Sequence, residues 1–77
     1  MREYITGDRI ANKIRQMRSQ HQGSFLIVEG DTDARLYKNL VDSTKCHVEN
    51  GYTKDKAVEA LNILEKDTFE GVIAIVT

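Results

Sequence analysis

Two short apolar runs, Phe25-Leu26-Ile27-Val28 and Val72-Ile73-Ala74-Ile75-Val76, constrain the fold of this chain more than any other feature. Each is too short for a helix, and neither alternates apolar with polar residues. An unbroken apolar strand needs cover on both faces, which is the situation of a strand inside a parallel sheet. Gly23 and Gly30 bound the first run, and Gly71 precedes the second. Parallel strands cannot be joined by tight turns, so the segments between the runs have to supply crossovers.

Those segments carry helical spacing. Ile10, Ile14 and Met17, with Ala11 beside them, predict an amphipathic N-terminal helix capped by Thr6 or Asp8. It is expected to stop near Gly23, which tolerates positive φ. Ala34, Leu36, Tyr37, Leu40 and Val41 form a second stripe, with Asp31 or Thr32 available as cap. Cys46 to Glu49 reads as a weaker, more polar strand. Asn50-Gly51 marks a turn and Thr53 a cap, followed by a third helix with Ala57, Val58, Leu61 and Leu64 inward. The order α-β-α-β-α-β contains two βαβ units with right-handed crossovers. With the apolar strands as neighbours, the polar one belongs at an edge, so the sheet order is 2-1-3. The expectation is one α/β domain over residues 1–77, a small three-layer Rossmann-like fold. Its N-terminal helix lies within 1–23 and its βαβαβ core within 24–77.

Composition narrows the class. Seventy-seven residues make one small domain, near the lower limit for an independent core. Apolar residues at 40%, charged residues at 30% and the absence of proline describe a folded chain and not a linker. The single Cys46 cannot form an internal disulfide, so a reducing cytoplasm is expected. No apolar run approaches the roughly 20 residues of a membrane span. The net charge of −1 hides an asymmetry. Residues 1–23 carry Arg2, Arg9, Lys13, Arg15 and Arg18 against Glu3 and Asp8, a balance of +3; the remaining six bases and ten acids give −4. Arg9 and Lys13 are thus candidates to meet phosphate, although a solvated helix face offsetting an acidic body is the simpler account.

Glu29-Gly30-Asp31-Thr32-Asp33 places three acids in five positions where the first strand ends. Ligands of open parallel sheets bind beyond the carboxyl ends of the strands, at the point where crossovers diverge. Order 2-1-3 puts that point between strands 1 and 3. The loop has no GxxxxGK[ST] pattern and no lysine, so it is not a phosphate cradle. Like charges about 6 Å apart repel by roughly 0.7 to 3 kcal/mol, which makes a bare phosphate a poor guest. A divalent cation held by oxygen ligands would reverse the sign. Asp31 can serve as a cap and Asp33 as a complement to the helix dipole. Glu29 ends a buried strand, where an acid needs solvent or a partner.

At this point the residues resemble the TOPRIM domain, shared by topoisomerases, bacterial primases and small nucleases. "FLIVEGDTDARLYKNLV" is similar to its opening motif, "HVENGYTKDKAVEAL" to its second strand, glycine turn and helix, and "FEGVIAIV" to its third strand. The resemblance implies Glu29 as general acid or base and as metal donor, and Gly30 as the turn glycine. It implies Asp33 as the acid early in the helix, with Asp31 assisting, Mg²⁺ as cofactor and nucleic acid as partner. Lys54 or Lys56 would touch phosphate. The family's third strand ends in Asp-x-Asp, whereas Thr77 stands where the first of those aspartates is expected. Weak Mg²⁺ binding and no efficient catalysis by this chain alone are therefore expected. Two functions stay open: a fragment of a Mg²⁺-dependent nuclease or phosphotransfer domain, and a non-catalytic module binding nucleic acid or protein.

The remaining candidates carry less chemistry. Cys46 and His47 alternate in a strand and point to opposite faces, Cys46 as a small buried residue and His47 at an exposed edge. His21 sits near a helix end. Tyr4, Tyr37 and Tyr52 are scattered and indicate no stacking platform. An apolar third strand at a sheet edge recruits another strand, so a homodimer or higher assembly through it, or pairing with a missing C-terminal segment, is expected.

Overall fold

The computed structural model describes residues 6–76, so Tyr4 and Thr77 lie outside the described residues. The elements are α1 (Gly7–Met17), β1 (Ser24–Val28), α2 (Asp31–Leu40), β2 (Cys46–Asn50), α3 (Lys54–Lys66) and β3 (Val72–Ile75). The strands form one sheet in the order β2-β1-β3, and both pairings are parallel. The α/β class and the 2-1-3 order are those that the apolar runs predict.

Alternation along β1 divides the core between two faces. Phe25 and Ile27 pack with Ile10, Ala11 and Ile14 of α1 and with Ala57, Ala60 and Leu64 of α3. Leu26 and Val28 pack on the other face with Ala34 and Val48. Burial of these four β1 side chains contributes roughly 1.5–3 kcal/mol each. Small residues set the distance between α1 and α3. Ala11, Ala57 and Ala60 are wholly buried, and the N–H of Gly7 donates to Glu59 Oε1 at 2.8 Å.

Thr6 caps α1 and Thr53 caps α3, each hydroxyl oxygen accepting from a backbone N–H 3.2 Å away. α2 differs from expectation. Its N-cap is Gly30, with no side-chain cap bond, so Asp31 and Thr32 both lie inside the helix. α1 also ends earlier than predicted, at Met17, with Arg18 still in the right-handed region. Gly23 is small because of a close approach and not because of φ: a Cβ there would collide with the Lys45 carbonyl oxygen, which accepts from Ser24 N–H at 2.8 Å. Arg18 instead ties the end of α1 to the sheet. Its guanidinium donates to the carbonyls of Gly23 (2.8 Å) and Glu70 (2.7 Å) and lies over the rings of Phe25 and Phe69.

Two of the predicted apolar stripes are narrower than the sequence pattern. On α2 only Ala34, Tyr37 and Val41 reach the core, leaving Leu36 and Leu40 exposed at 53% and 69%. α2 packs chiefly on the edge strand β2, so its seat is one row wide. On α3, Ala57, Ala60 and Leu64 face inward, whereas Val58 is exposed, because α1 occupies the flank selected by the alanines.

Candidate functional site

The carboxyl edge of the sheet gathers the acids. Val28, the last residue of β1, is level with Asn50 of β2 and Ile75 of β3, so Glu29 emerges between the ends of both neighbours. Gly30 has φ 92 and ψ 167, a region that is essentially glycine-only. That conformation turns the chain directly into α2 and brings Asp31 and Asp33 into its first turn, where the helix dipole favours negative charge. Glu29 and Asp33 are half-buried and Asp31 is exposed.

Asp31 is already committed. Its Oδ1 accepts from Asn50 Nδ2 at 2.5 Å, and Asn50 Oδ1 accepts from Tyr52 N–H at 2.7 Å. The end of β2 is thereby tied to the first turn of α2. Among the described residues, no three His, Cys, Asp or Glu side chains converge tightly enough to hold a metal ion. Glu29, Asp31 and Asp33 thus share an edge without forming a ligand cage. What they offer suits only an ion that keeps most of its water and takes one or two carboxylates, as Mg²⁺ commonly does.

The four basic candidates do not converge on one place. Arg9 and Lys13 of α1 line a cleft of ≈ 420 Å³ against β2, together with Asn12, Gln16, Glu49 and Tyr52. Lys54 instead lines a recess beside Asp8, Asp55, Glu59 and Lys66, where nearby acids offset its charge. Lys56 is half-buried in the first turn of α3, its backbone N–H donated to the Thr53 cap.

Glu49 carries a role that the sequence pattern missed. It is the buried charged residue among the described ones, at 6% exposure. Its Oε2 accepts from Lys13 Nζ at 3.0 Å and its Oε1 from His47 Nε2 at 2.9 Å. The available signal was the His-x-Glu spacing in a strand, which sets both side chains on one face. That face lies beneath the basic helix. His47 is accordingly not a bare edge residue: its ring packs edge-on against Phe25, 5.8 Å between centroids, and against His21. His21 accompanies it, with Nε2 2.9 Å from the Ser24 carbonyl oxygen. Cys46 points to the opposite face, half-buried beside the α2 cluster, as alternation requires.

No family model, curated protein or solved structure matches this chain. No helix among the described residues is long and apolar enough to cross a membrane.

Proposed function

We propose that this chain is a TOPRIM-like α/β module that engages nucleic acid at the carboxyl edge of its sheet, with Glu29 as the central acid. The observation that carries this reading is the placement of Glu29-Gly30. The acid leaves the middle strand between the ends of β2 and β3, and the glycine-only conformation of Gly30 delivers Asp31 and Asp33 beside it. Carboxylates gathered at one edge repel a bare phosphate. Mg²⁺, when bound, supplies the positive charge that lets phosphate oxygens approach such an edge. Glu29 and Asp33 would hold it, while Asn50 fixes the orientation of Asp31. Glu29 is also the group placed to take or give a proton. Thr77 stands where the first aspartate of the family's Asp-x-Asp is expected, so the expected output is binding without efficient turnover.

A second contact belongs to this proposal. β3 is an edge strand, and Ile73 and Ile75 stand exposed on it at 61% and 37%. Pairing with β3 of a second copy would satisfy the open backbone groups and cover both isoleucines. A cytoplasmic setting, which keeps Cys46 reduced, completes the picture.

The test is a Mg²⁺ titration followed by amide NMR. Shifts centred on Glu29, Gly30 and Asp33, lost in Glu29→Gln, are the expected result. An unperturbed stretch from Glu29 to Asp33 at saturating Mg²⁺ would overturn the metal part of the reading.

A further inference from the structure

Two imidazoles meet near the amino end of the sheet, the opposite end from Glu29. His47 is the register partner of Phe25, so their side chains lie side by side on the face that α1 and α3 cover. His21 enters from the connection between α1 and β1. The Phe25 ring packs edge-on against both, with centroids 5.0 Å from His21 and 5.8 Å from His47. The two imidazole centroids are 6.2 Å apart. Both histidines are half-buried, so solutes reach them.

Hydrogen bonds fix the same tautomer on each ring. His21 Nε2 lies 2.9 Å from the Ser24 carbonyl oxygen, and His47 Nε2 lies 2.9 Å from Glu49 Oε1. Carbonyl and carboxylate oxygens only accept, so each Nε2 carries a proton and each Nδ1 of a neutral ring keeps its lone pair. Among the described residues, neither Nδ1 has a hydrogen-bond partner.

Ser24 and Glu49 are the kind of partner that metal-bound histidines have. The ring nitrogen away from the metal donates to a backbone carbonyl or a carboxylate, which sets the tautomer and raises the basicity of the ligating nitrogen. Glu49 is itself held, because its other oxygen accepts from Lys13 Nζ at 3.0 Å. A Zn–N bond of about 2.0–2.1 Å and a ring radius of about 1.1 Å place the centres of two ligating rings about 5–6 Å apart. The observed separation slightly exceeds that range, and a small rotation of either half-buried ring closes it.

We propose that His21 and His47 bind a divalent transition metal of the Zn²⁺ class through their Nδ1 atoms, with water completing the shell. Imidazole suits such ions, whereas Mg²⁺ prefers oxygen. No third His, Cys, Asp or Glu converges on the pair among the described residues, so the site has two protein ligands and its remaining positions face solvent. The bound ion ties the α1–β1 connection to the edge strand β2. This inference does not depend on the proposed function, which concerns the other end of the sheet and a different ion.

The test titrates the full chain with Zn²⁺ and follows the imidazole nitrogens by ¹⁵N NMR, with Mg²⁺ as control. Zn²⁺ is expected to move the Nδ1 resonances of both rings, to leave both Nε2 atoms protonated, and to raise the thermal midpoint. Mg²⁺ is expected to move neither ring. His21→Gln and His47→Gln should each abolish the shift of the remaining ring. Glu49 is a positioning residue, so Glu49→Gln should weaken Zn²⁺ binding about tenfold, with the amide spectrum reporting that the variant is folded. Cys46 faces the other side of the sheet, so Cys46→Ser should leave Zn²⁺ binding unchanged. A shift confined to one ring, coordination through Nε2, or no imidazole shift at millimolar Zn²⁺ overturns the proposal. So does an affinity that survives both histidine substitutions or vanishes in Cys46→Ser.

Discussion

Lys13 Nζ on α1 donates to Glu49 Oε2 on β2 at 3.0 Å, and this pair joins a helix to the sheet edge that it covers. The partners are unequal: the Lys13 side chain is 60% exposed and that of Glu49 only 7%. Removing one partner of a fully buried pair costs about 3–5 kcal/mol, and water at the lysine end brings the expectation for Lys13→Ala down to about 1–2 kcal/mol. His47 still donates to Oε1 in that variant, which limits the loss. Urea denaturation should therefore show a lower midpoint with an unchanged m-value. Lys13→Met combined with Glu49→Leu should recover most of the loss, because no buried charge is left without its partner. Equal stability of Lys13→Ala and the parent would mean that the pair contributes nothing.

Gly30 and Gly23 are both intolerant of a side chain, for different reasons. Gly30→Ala meets no atom within 4 Å but must adopt φ 92, so its cost of about 1–3 kcal/mol is conformational. Gly23→Ala drives a Cβ into the Lys45 carbonyl, and the forced backbone shift costs about 1–3 kcal/mol through sterics. Chemical synthesis with D-alanine separates the two mechanisms. D-alanine at position 30 should restore near-parent thermal stability relative to L-alanine, since positive φ suits it. A Gly30 D-alanine variant no more stable than the L-alanine one would refute the conformational account.

The strand order was readable because the two unbroken apolar runs need neighbours and the polar Cys46–Asn50 strand does not. The threonine caps were readable for a local reason, since a hydroxyl three residues before an N–H needs no tertiary partner. What the pattern could not show was set by packing between distant segments. Glu49 looks like a solvated edge residue until α1 is laid over it. Leu36 and Leu40 fit a helical stripe, but a sheet with β2 at its edge gives α2 a narrow seat. In the candidate site, the shared edge of Glu29, Asp31 and Asp33 follows from a strand end and a glycine. The Asn50 bond to Asp31 spans 19 residues and has no local signature. The meeting of Arg9, Lys13 and Tyr52 in one cleft is equally a product of tertiary placement.

Asp42 offers a pH-dependent signal away from both sites. Its Oδ1 accepts from the Thr44 hydroxyl at 2.7 Å and from the Thr44 N–H at 2.9 Å. These two bonds, the hydroxyl first, hold its carboxyl below the usual aspartate range. A depressed carboxyl contributes stability that is complete above the unfolded value and is lost as pH falls through the folded one. Carboxyl ¹³C NMR should show Asp42 titrating below an unstructured aspartate. Thr44→Val, which removes the hydroxyl and keeps the N–H, should return the midpoint part of the way. An unmoved midpoint would show that the hydroxyl is not the main cause.

Ile73 is the residue on which assembly can be decided. It pairs with Leu26 and Ile75 pairs with Val28, so both point to the α2 face of the sheet, where α2 sits over β2 and leaves β3 uncovered. A second copy adding its own β3 would extend the sheet and bring four isoleucines together across a two-fold axis. A lysine on an edge strand opposes such pairing, because two copies would set like charges close to each other. Ile73→Lys is therefore expected to elute as a monomer in size-exclusion chromatography with light scattering, where the parent is expected to elute as a dimer. Its thermal stability at low concentration should change by no more than about 0.5 kcal/mol, since the side chain it replaces is already largely in solvent. A parent chain that stays monomeric at high concentration would sink the assembly through β3.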